Sequence, residues 1–360
     1  MARPIPEEWR DPATGLEVGA WEVDPHDMDS VRRRVGGLVP GSVRLTYGYR
    51  SDARVSAEME VAGEALLDGS WVRLTLSVGG REEELATLCV ARRSTDRRTG
   101  VTRYTLQSAI WAISEDRLSW EWTVAAGTRC STAIRSACEA TGRPYVLMPT
   151  FSDSQYGETV GFERRDAFSS FLFDAAERAG ARMDVDGHGR LAFSGYVPPA
   201  QRQADWAVDE RDGRSVVIDE GRTDEDRAGE AYGRTVVVHY VGEGDGRSAV
   251  TGQWDAPASH PASSARRGYT RTNVREVGDM SPETAERAAQ LARQHGERTD
   301  GALGVERKAT LMWCPVTAGD VLEWTDPGGA VTRWLVRTVE CDCATWTKEL
   351  VMEAVGEWTR

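Results

Sequence analysis

Three groups of residues have the types and spacing of reactive or ligand-binding sites. Asp184-x-Asp186-Gly187 matches the opening of a calcium loop, in which carboxylates at alternate positions wrap one hard cation. That loop needs a third oxygen ligand two residues on and a glutamate at position twelve, and here those places hold His188 and Gly195. The same residues suit a hairpin turn, where Asp and Gly meet the backbone's demands, and this is the reading adopted. Asp219-Glu220 and Asp224-Glu225-Asp226 could supply the two carboxyls that flank a scissile glycosidic bond. As sequence neighbours in a polar, glycine-containing stretch, they are expected to form a solvated rim instead. His239 shares a strand face with Val237 and Val241, and spacing fixes no Ser, Cys or Asp partner for it. A hydrogen-bonded strand histidine is therefore expected rather than a general base.

The remaining candidates weaken on inspection. Gly242-Glu243-Gly244-Asp245-Gly246 lacks the Lys-Ser/Thr ending of a phosphate-cradling loop, and Arg247 breaks the dinucleotide pattern. Six cysteines (Cys89, Cys130, Cys138, Cys314, Cys341, Cys343) form no CxxC pair. Cys341 and Cys343, two apart on a strand, point with Val339 toward a core. Arg32-Arg33-Arg34 and Arg266-Arg267 are short basic runs, read as solvated loops or as a rim for acidic partner subunits. Thirteen tryptophans outnumber six phenylalanines. Many fall in strand settings (Trp71, Trp111, Trp120, Trp122, Trp313, Trp324, Trp334, Trp346), which fits subunit interfaces, with a sugar-stacking platform as the rival. The expectation is thus no catalytic residue, no cofactor-binding residue and no metal site.

These residues must be carried by a chain of 360 residues, room for two or three domains of about 150 residues each. Acidic residues number 57 against 44 basic ones, a formal charge of −13 that argues against nucleic acid as an attracting partner. No apolar run is long enough to span a membrane, and no secretory leader is recognised at Met1–Pro12. The dominant period is two. Val72, Leu74, Leu76 and Val78 alternate with Arg73, Thr75 and Ser77, a half-buried strand that Gly79-Gly80 turns into its neighbour, Leu85–Arg92. Val101–Ile113 reads as one long strand, apolar on both sides from Ala109.

A middle αβαββ block follows. Thr128 and Asp166 are the expected caps of two helices, closed by Gly142 and Gly180, with strands at Tyr145–Met148, Ala181–Val185 and Arg190–Tyr196. A second β-rich region has its best strands at Ser215–Asp219, Thr235–Val241, Val305–Leu311, Val321–Thr325 and Val331–Val339. Asp255–Arg275 reads as an extended surface loop. Ser281 and Pro282 start a helix over 282–295 that Gly296 ends, and its alanine stripe requires a flat packing partner. The fold class is mainly β with α+β insertions. It divides into an arm with first strands (1–54), a first barrel (55–125), an α/β domain (126–200) and a second barrel with inserted loop and helix (201–360). The prolines near the N-terminus predict an arm that clasps a neighbour.

Three stretches, Glu84–Leu118, Ala125–Leu147 and Arg164–Pro199, resemble the hub proteins of phage tail tips and baseplates in element order and local phrasing. The Asp186-x-x-Gly189-x-Leu191 turn, the Pro198-Pro199 exit and the late Cys314–Trp324 and Arg333–Glu340 phrases, with their Gly319-Asp320 turn, extend the resemblance to about Val55–Val355. It implies a homotrimeric ring of two tube-forming β domains with α/β domains outside. It also implies a virion location after assembly in the bacterial host's cytoplasm. The implied partners are a distal tail or tail tube protein, the tape measure protein, and tip, fibre or receptor-binding proteins. DNA would pass without specific binding. Many such hubs continue into a fibre or lysin domain; nothing resembling one precedes Arg360, so wall cleavage and receptor binding are expected of separate proteins. A carbohydrate-binding module and a cell-wall hydrolase are the alternatives.

Overall fold

The computed structural model describes residues 2–355 except 7–8, 10–14, 26, 50–53, 64–65, 67–68, 119–120, 158, 164–165, 214, 226–231, 242–247, 259, 261, 278–283 and 299–304. The first strands are β1 (Arg3–Pro4), β2 (Leu16–Asp24), β3 (Asp27–Arg34), β4 (Arg44–Gly48), β5 (Val55–Ala62), β6 (Trp71–Val78), β7 (Arg81–Asp96) and β8 (Val101–Gln107). A middle block follows: α1 (Ala109–Glu115), β9 (Trp122–Val124), α2 (Cys130–Thr141), β10 (Tyr145–Leu147), β11 (Val160–Phe162), α3 (Phe168–Arg178), β12 (Ala181–Val185) and β13 (Leu191–Gly195). Then come β14 (Trp206–Asp209), β15 (Val217–Asp219), β16 (Thr223–Glu225), β17 (Arg234–Val241), β18 (Ser248–Asp255), α4 (Ser264–Arg267), β19 (Thr272–Glu276) and α5 (Ala285–Arg298). The chain ends in β20 (Val305–Met312), β21 (Val321–Thr325), β22 (Val331–Asp342) and β23 (Thr347–Ala354).

The molecule is mainly β with α+β insertions, as expected, but its two β regions do not close into separate barrels. They share one 15-stranded sheet, ordered β1-β14-β21-β22-β4-β5-β8-β7-β6-β2-β3, with β23, β20, β15 and β16 branching from β22. The joint is β4, antiparallel to β22 on one side (Leu45 opposite Cys341) and to β5 on the other (Leu45 opposite Ala57). Within the stretch expected to hold an arm with first strands (1–54), Leu16–Asp24, Asp27–Arg34 and Arg44–Gly48 are strands of this sheet. One core lies under this sheet, from Leu74, Leu76 and Leu88 to Trp324, Trp334 and Met352.

The middle block has its own core, in which Trp122, Phe162, Phe168 and Phe171 meet edge to face. Ala109–Ile113, expected to continue β8 as strand, is instead helix α1. Ile110 and Ile113, three apart, are both buried against this core. A short run that is apolar at every position carries no period, so packing decides its conformation. Helix α2 starts at Cys130 rather than just after Thr128, and Asp153 caps it from a distant loop, accepting Ser131 N at 3.0 Å. Asp166 does not cap α3, whose N-cap position is Ala167; its carboxylate accepts Glu163 N at 2.8 Å. Both helices end at left-handed glycines, Gly142 and Gly180, as expected.

The inserted segment is a three-stranded sheet, β18-β17-β19, with α5 on one face. The stretch expected as a loop over Asp255–Arg275 holds the short helix α4 and part of β19, which pairs parallel to β17. The flat partner required by the alanine stripe is this sheet: Ala288 and Ala292 pack on Val237. Gly296 does not end α5 but lies within it, where a Cβ would sit 2.1 Å from the Trp254 ring. Ser281 and Pro282 lie outside the described residues.

Candidate functional site

One extended surface that the fold organises is the polar face of the joined sheet. Across β20, β23, β22, β4, β5 and β8 runs the row Thr310, Glu349, Glu340, Thr46, Ser56, Gln107. Beside it, from β23 to β7, runs Thr347, Asp342, Arg44, Glu58, Thr105, Arg92. Between them the intervening residues Lys348, Cys341, Leu45, Ala57 and Leu106 point to the core, because neighbouring side chains on a strand alternate. A shallow depression of about 420 Å³ lies over the polar rows. Carboxylates predominate there: Glu349, Glu340, Asp342 and Glu58 against Arg44 and Arg92. Glu340 and Glu349 stand directly opposite each other, an arrangement that costs stability in a sheet. The excess of carboxylates gives this face a negative character.

The residues singled out by sequence take up structural posts. Asp184 pairs with Arg182, and Asp186 accepts Arg190 Nε at 2.7 Å and Arg190 N at 2.9 Å, so the calcium-loop resemblance is a hairpin. His188 reaches Asp29 at 3.2 Å and Glu84 at 3.0 Å, tying the middle block to the sheet. No cluster of His, Cys, Asp and Glu suited to a metal ion occurs among the described residues. Asp219 and Glu220 are exposed, with Asp219 Oδ1 accepting Gly221 N at 2.9 Å, and Asp224 pairs with Arg222 at 2.5 Å. Asp226, the Glu225 side chain and Gly242–Gly246 lie outside the described residues. His239 is buried, its Nδ1 2.9 Å from Val277 O, as expected for a strand histidine.

The arginine run 32–34 is strand rather than a solvated loop. It lies on β3 and pairs with the chain's own Asp24, Glu22 and Glu17 at 2.9, 2.7 and 3.2 Å. Arg266 and Arg267 form the last turn of α4. Trp71, Trp313, Trp324 and Trp334 are buried, while Trp111, Trp122 and Trp346 are half-buried, so these rings are consumed in packing. Trp120 lies outside the described residues. All six cysteines are buried, and burial pushes the Cys341 thiol up to about 11 and the Cys343 thiol up to about 12.

Three buried polar centres escaped the sequence reading. Arg73 faces inward and reaches Glu84 at 3.0 Å, Thr87 Oγ1 at 3.2 Å and Met28 O. Thr87 Oγ1 in turn donates to Gly187 O at 2.8 Å, so the strand expected to be half-buried is covered on both faces. Arg307 pairs with Glu210 beneath Trp324, and Lys348 Nζ donates to Val316 O at 2.8 Å, 5.0 Å from the Trp313 ring centre. The available signal was register: Arg307 alternates in phase with Val305 and Ala309, and Lys348 with Leu350 and Met352.

Asp320 accepts Thr317 N at 2.9 Å and Trp206 Nε1 at 3.1 Å. Burial raises its carboxyl to about 6, helped by nearby Asp205, despite those bonds and Lys348. Between the ordinary carboxylate value and 6 the native state therefore holds a proton that the unfolded state has lost. This contribution is full below the ordinary value and is lost as pH rises through about 6, by up to about 3 kcal/mol. Asp320→Asn, which keeps the acceptor for both donors, is expected to flatten this slope in urea titrations run from pH 4 to pH 7.

Neither a protein-family model nor a curated protein matches the sequence. Solved structures do. The chain is similar to the 43 kDa tail protein of prophage MuSo2 from Shewanella oneidensis (TM-score 0.64, 12% identity, covering 94% of this chain and 98% of that one). It is also similar to a tail protein from Neisseria meningitidis MC58 (TM-score 0.65, 12% identity, 96% and 98% covered). A third match is prophage tail protein gp18 from Listeria monocytogenes EGD-e (TM-score 0.57, 12% identity, 95% of each chain covered). The fold is therefore that of phage tail proteins, as the resemblance implied.

Proposed function

We propose that this chain is a structural hub of a phage tail tip or baseplate. Three copies close a ring that joins the tail tube or distal tail protein to the tip, takes the tape measure protein from inside, and supports tip, fibre or receptor-binding proteins. The observation that carries this reading is the end-to-end likeness to three tail proteins, with no covered share below 94%. In this reading the strands of the joined sheet supply the ring wall, and the middle block stands outside it. The acidic polar face of the joined sheet suits a passage through which DNA slides, since like charge keeps phosphate from sticking. The chain cleaves nothing in this role. The buried tryptophans speak against a sugar platform, and of the carboxylates weighed for cleavage Asp219 holds its own turn and Asp224 pairs with Arg222.

Mass photometry of the purified chain, alone and with a tail tube or distal tail protein, tests the reading. A species of three copies is expected. A monomer under every one of these conditions would sink it, as would clearing of bacterial cell walls in a zymogram that an acidic-residue substitution abolishes.

A further inference from the structure

The hairpin that joins β7 to β8 stands clear of the rest of the sheet. Strand β6 accompanies β7 only as far as Cys89, opposite Trp71. From Arg92 to Asp96, β7 is paired on one side alone among the described strands, to β8. Every residue of 91–100 is exposed. The stretch holds four arginines and one aspartate, and that aspartate serves its own turn, Asp96 Oδ1 accepting Arg98 N at 2.8 Å. The guanidiniums of Arg92, Arg97 and Arg98 make no hydrogen bond or ion pair among the described residues. On the returning strand, by contrast, Arg103 is held by Glu60 at 2.6 Å. Carboxylates are in surplus in this chain, 57 acidic residues against 44 basic ones, and the hairpin carries these three arginines beyond their reach.

The same surplus bears on how copies meet. Chains of charge −13 repel one another, so a contact between copies is favoured where charge is locally opposite. Another open edge of the sheet offers the opposite sign. Strand β15 is paired on one side only, to β20, and at its end Ile218 is 56% exposed beside exposed Asp219 and Glu220. Asp219 Oδ1 accepts Gly221 N at 2.9 Å, Arg222 is taken by Asp224, and the Glu220 carboxylate makes no ion pair among the described residues. We propose that the β7–β8 hairpin of one copy docks on this edge of a second copy, with Arg97 and Arg98 against Asp219 and Glu220. Guanidinium and carboxylate match as charge-assisted pairs. Hairpin and edge are different patches, so the contact is heterologous, the kind that closes rings. The inference rests on the ring reading above and specifies which surfaces close it.

Charge reversal tests it, read by mass photometry of the full chain alone and with a tail tube or distal tail protein. Arg97→Glu with Arg98→Glu alters only exposed side chains, and Asp219→Asn with Glu220→Arg keeps the acceptor that holds Gly221 N. Each double variant is expected to raise the concentration at which trimers dissociate by about tenfold or more, with an unchanged melting temperature. The second makes the chain less acidic, so relief of general repulsion alone would tighten assembly, and loosening marks a lost contact. Combining all four substitutions is expected to bring assembly back to within about threefold of the parent. Trimers that persist unchanged in both double variants, or a combined chain no better than either, would overturn the hairpin contact and leave the ring reading standing. So would binding of duplex DNA by the parent that Arg97→Glu with Arg98→Glu abolishes while its trimers stay intact. A parent chain that is monomeric throughout would overturn both.

Discussion

Glu210→Ala is expected to destabilise the fold by about 3–5 kcal/mol, the cost of leaving a buried charge without its partner. Glu210 and Arg307 side chains are 7% and 10% exposed, and their contact measures 2.6 Å. The guanidinium also lies 4.2 Å over the ring of Trp324, whose Nε1 donates to the same Glu210 oxygen. Arg307 Nε donates to Glu220 O at 3.1 Å, which anchors the loop after β15. Removing the carboxylate thus strands one cation and one indole N–H in the core of the second β region. Urea denaturation reads the loss as a lower midpoint at unchanged slope. Adding Arg307→Met to Glu210→Leu should recover most of it, because an apolar pair of similar volume often replaces a buried ion pair without penalty. If the single and double variants prove equally unstable, the ion pair is not what the site depends on.

Gly252→Val should be the next most damaging change, at about 3 kcal/mol, through steric overlap rather than charge. A Cβ at Gly252 would meet the backbone C of Ala288 and N of Ala289, each at 2.0 Å, so α5 presses its own backbone onto β18 there. No rotamer escapes backbone, and α5 must lift. Its core is small, Val237, Ala288 and Ala292 with Val250, Trp254, Val277 and Leu291 packed around them, so lifting α5 opens the whole cluster. Hydrogen exchange should therefore lose protection first along 285–296 and in β17 and β18, with the joined sheet unaffected. Gly161→Ala serves as the control. It too is a strand glycine, but a Cβ there meets nothing within 4 Å, and no measurable loss is expected.

Much of this molecule was legible before its structure. The alternation of Trp71–Val78, the Ala181–Val185 and Val321–Thr325 strands, the glycine stops of α2 and α3 and the small-residue face of α5 all follow from local rules. Side chains on a strand alternate, a helix repeats every 3.6 residues, and glycine tolerates the left-handed turn that ends one. The posts of Asp186 and His239 were legible too: the first serves a hairpin turn and the second a strand, where backbone needs explain them. So was the resemblance to tail hubs, carried by the order of these elements.

What the linear order left open concerns partners far apart in the chain. Nothing near Arg44–Gly48 says that this strand will bridge Cys341 to Ala57 and turn two β regions into one sheet. Nothing in Ala109–Ile113 says helix until the core of the middle block takes Ile110 and Ile113. The inward arginines show the same division. Arg307 is in phase with Val305 and Ala309, a register the reading passed over, and only the approach of Glu210 makes that position tolerable, because desolvating a lone charge costs more than any local preference supplies. Where a clear period or a turn residue marked them, the sequence by itself determined which segments are strand, helix or turn, since those depend on neighbours a few residues away. Only the tertiary structure decided which strands meet, which charges are buried together and which polar face is left open, because those energies arise between residues that the chain alone keeps apart.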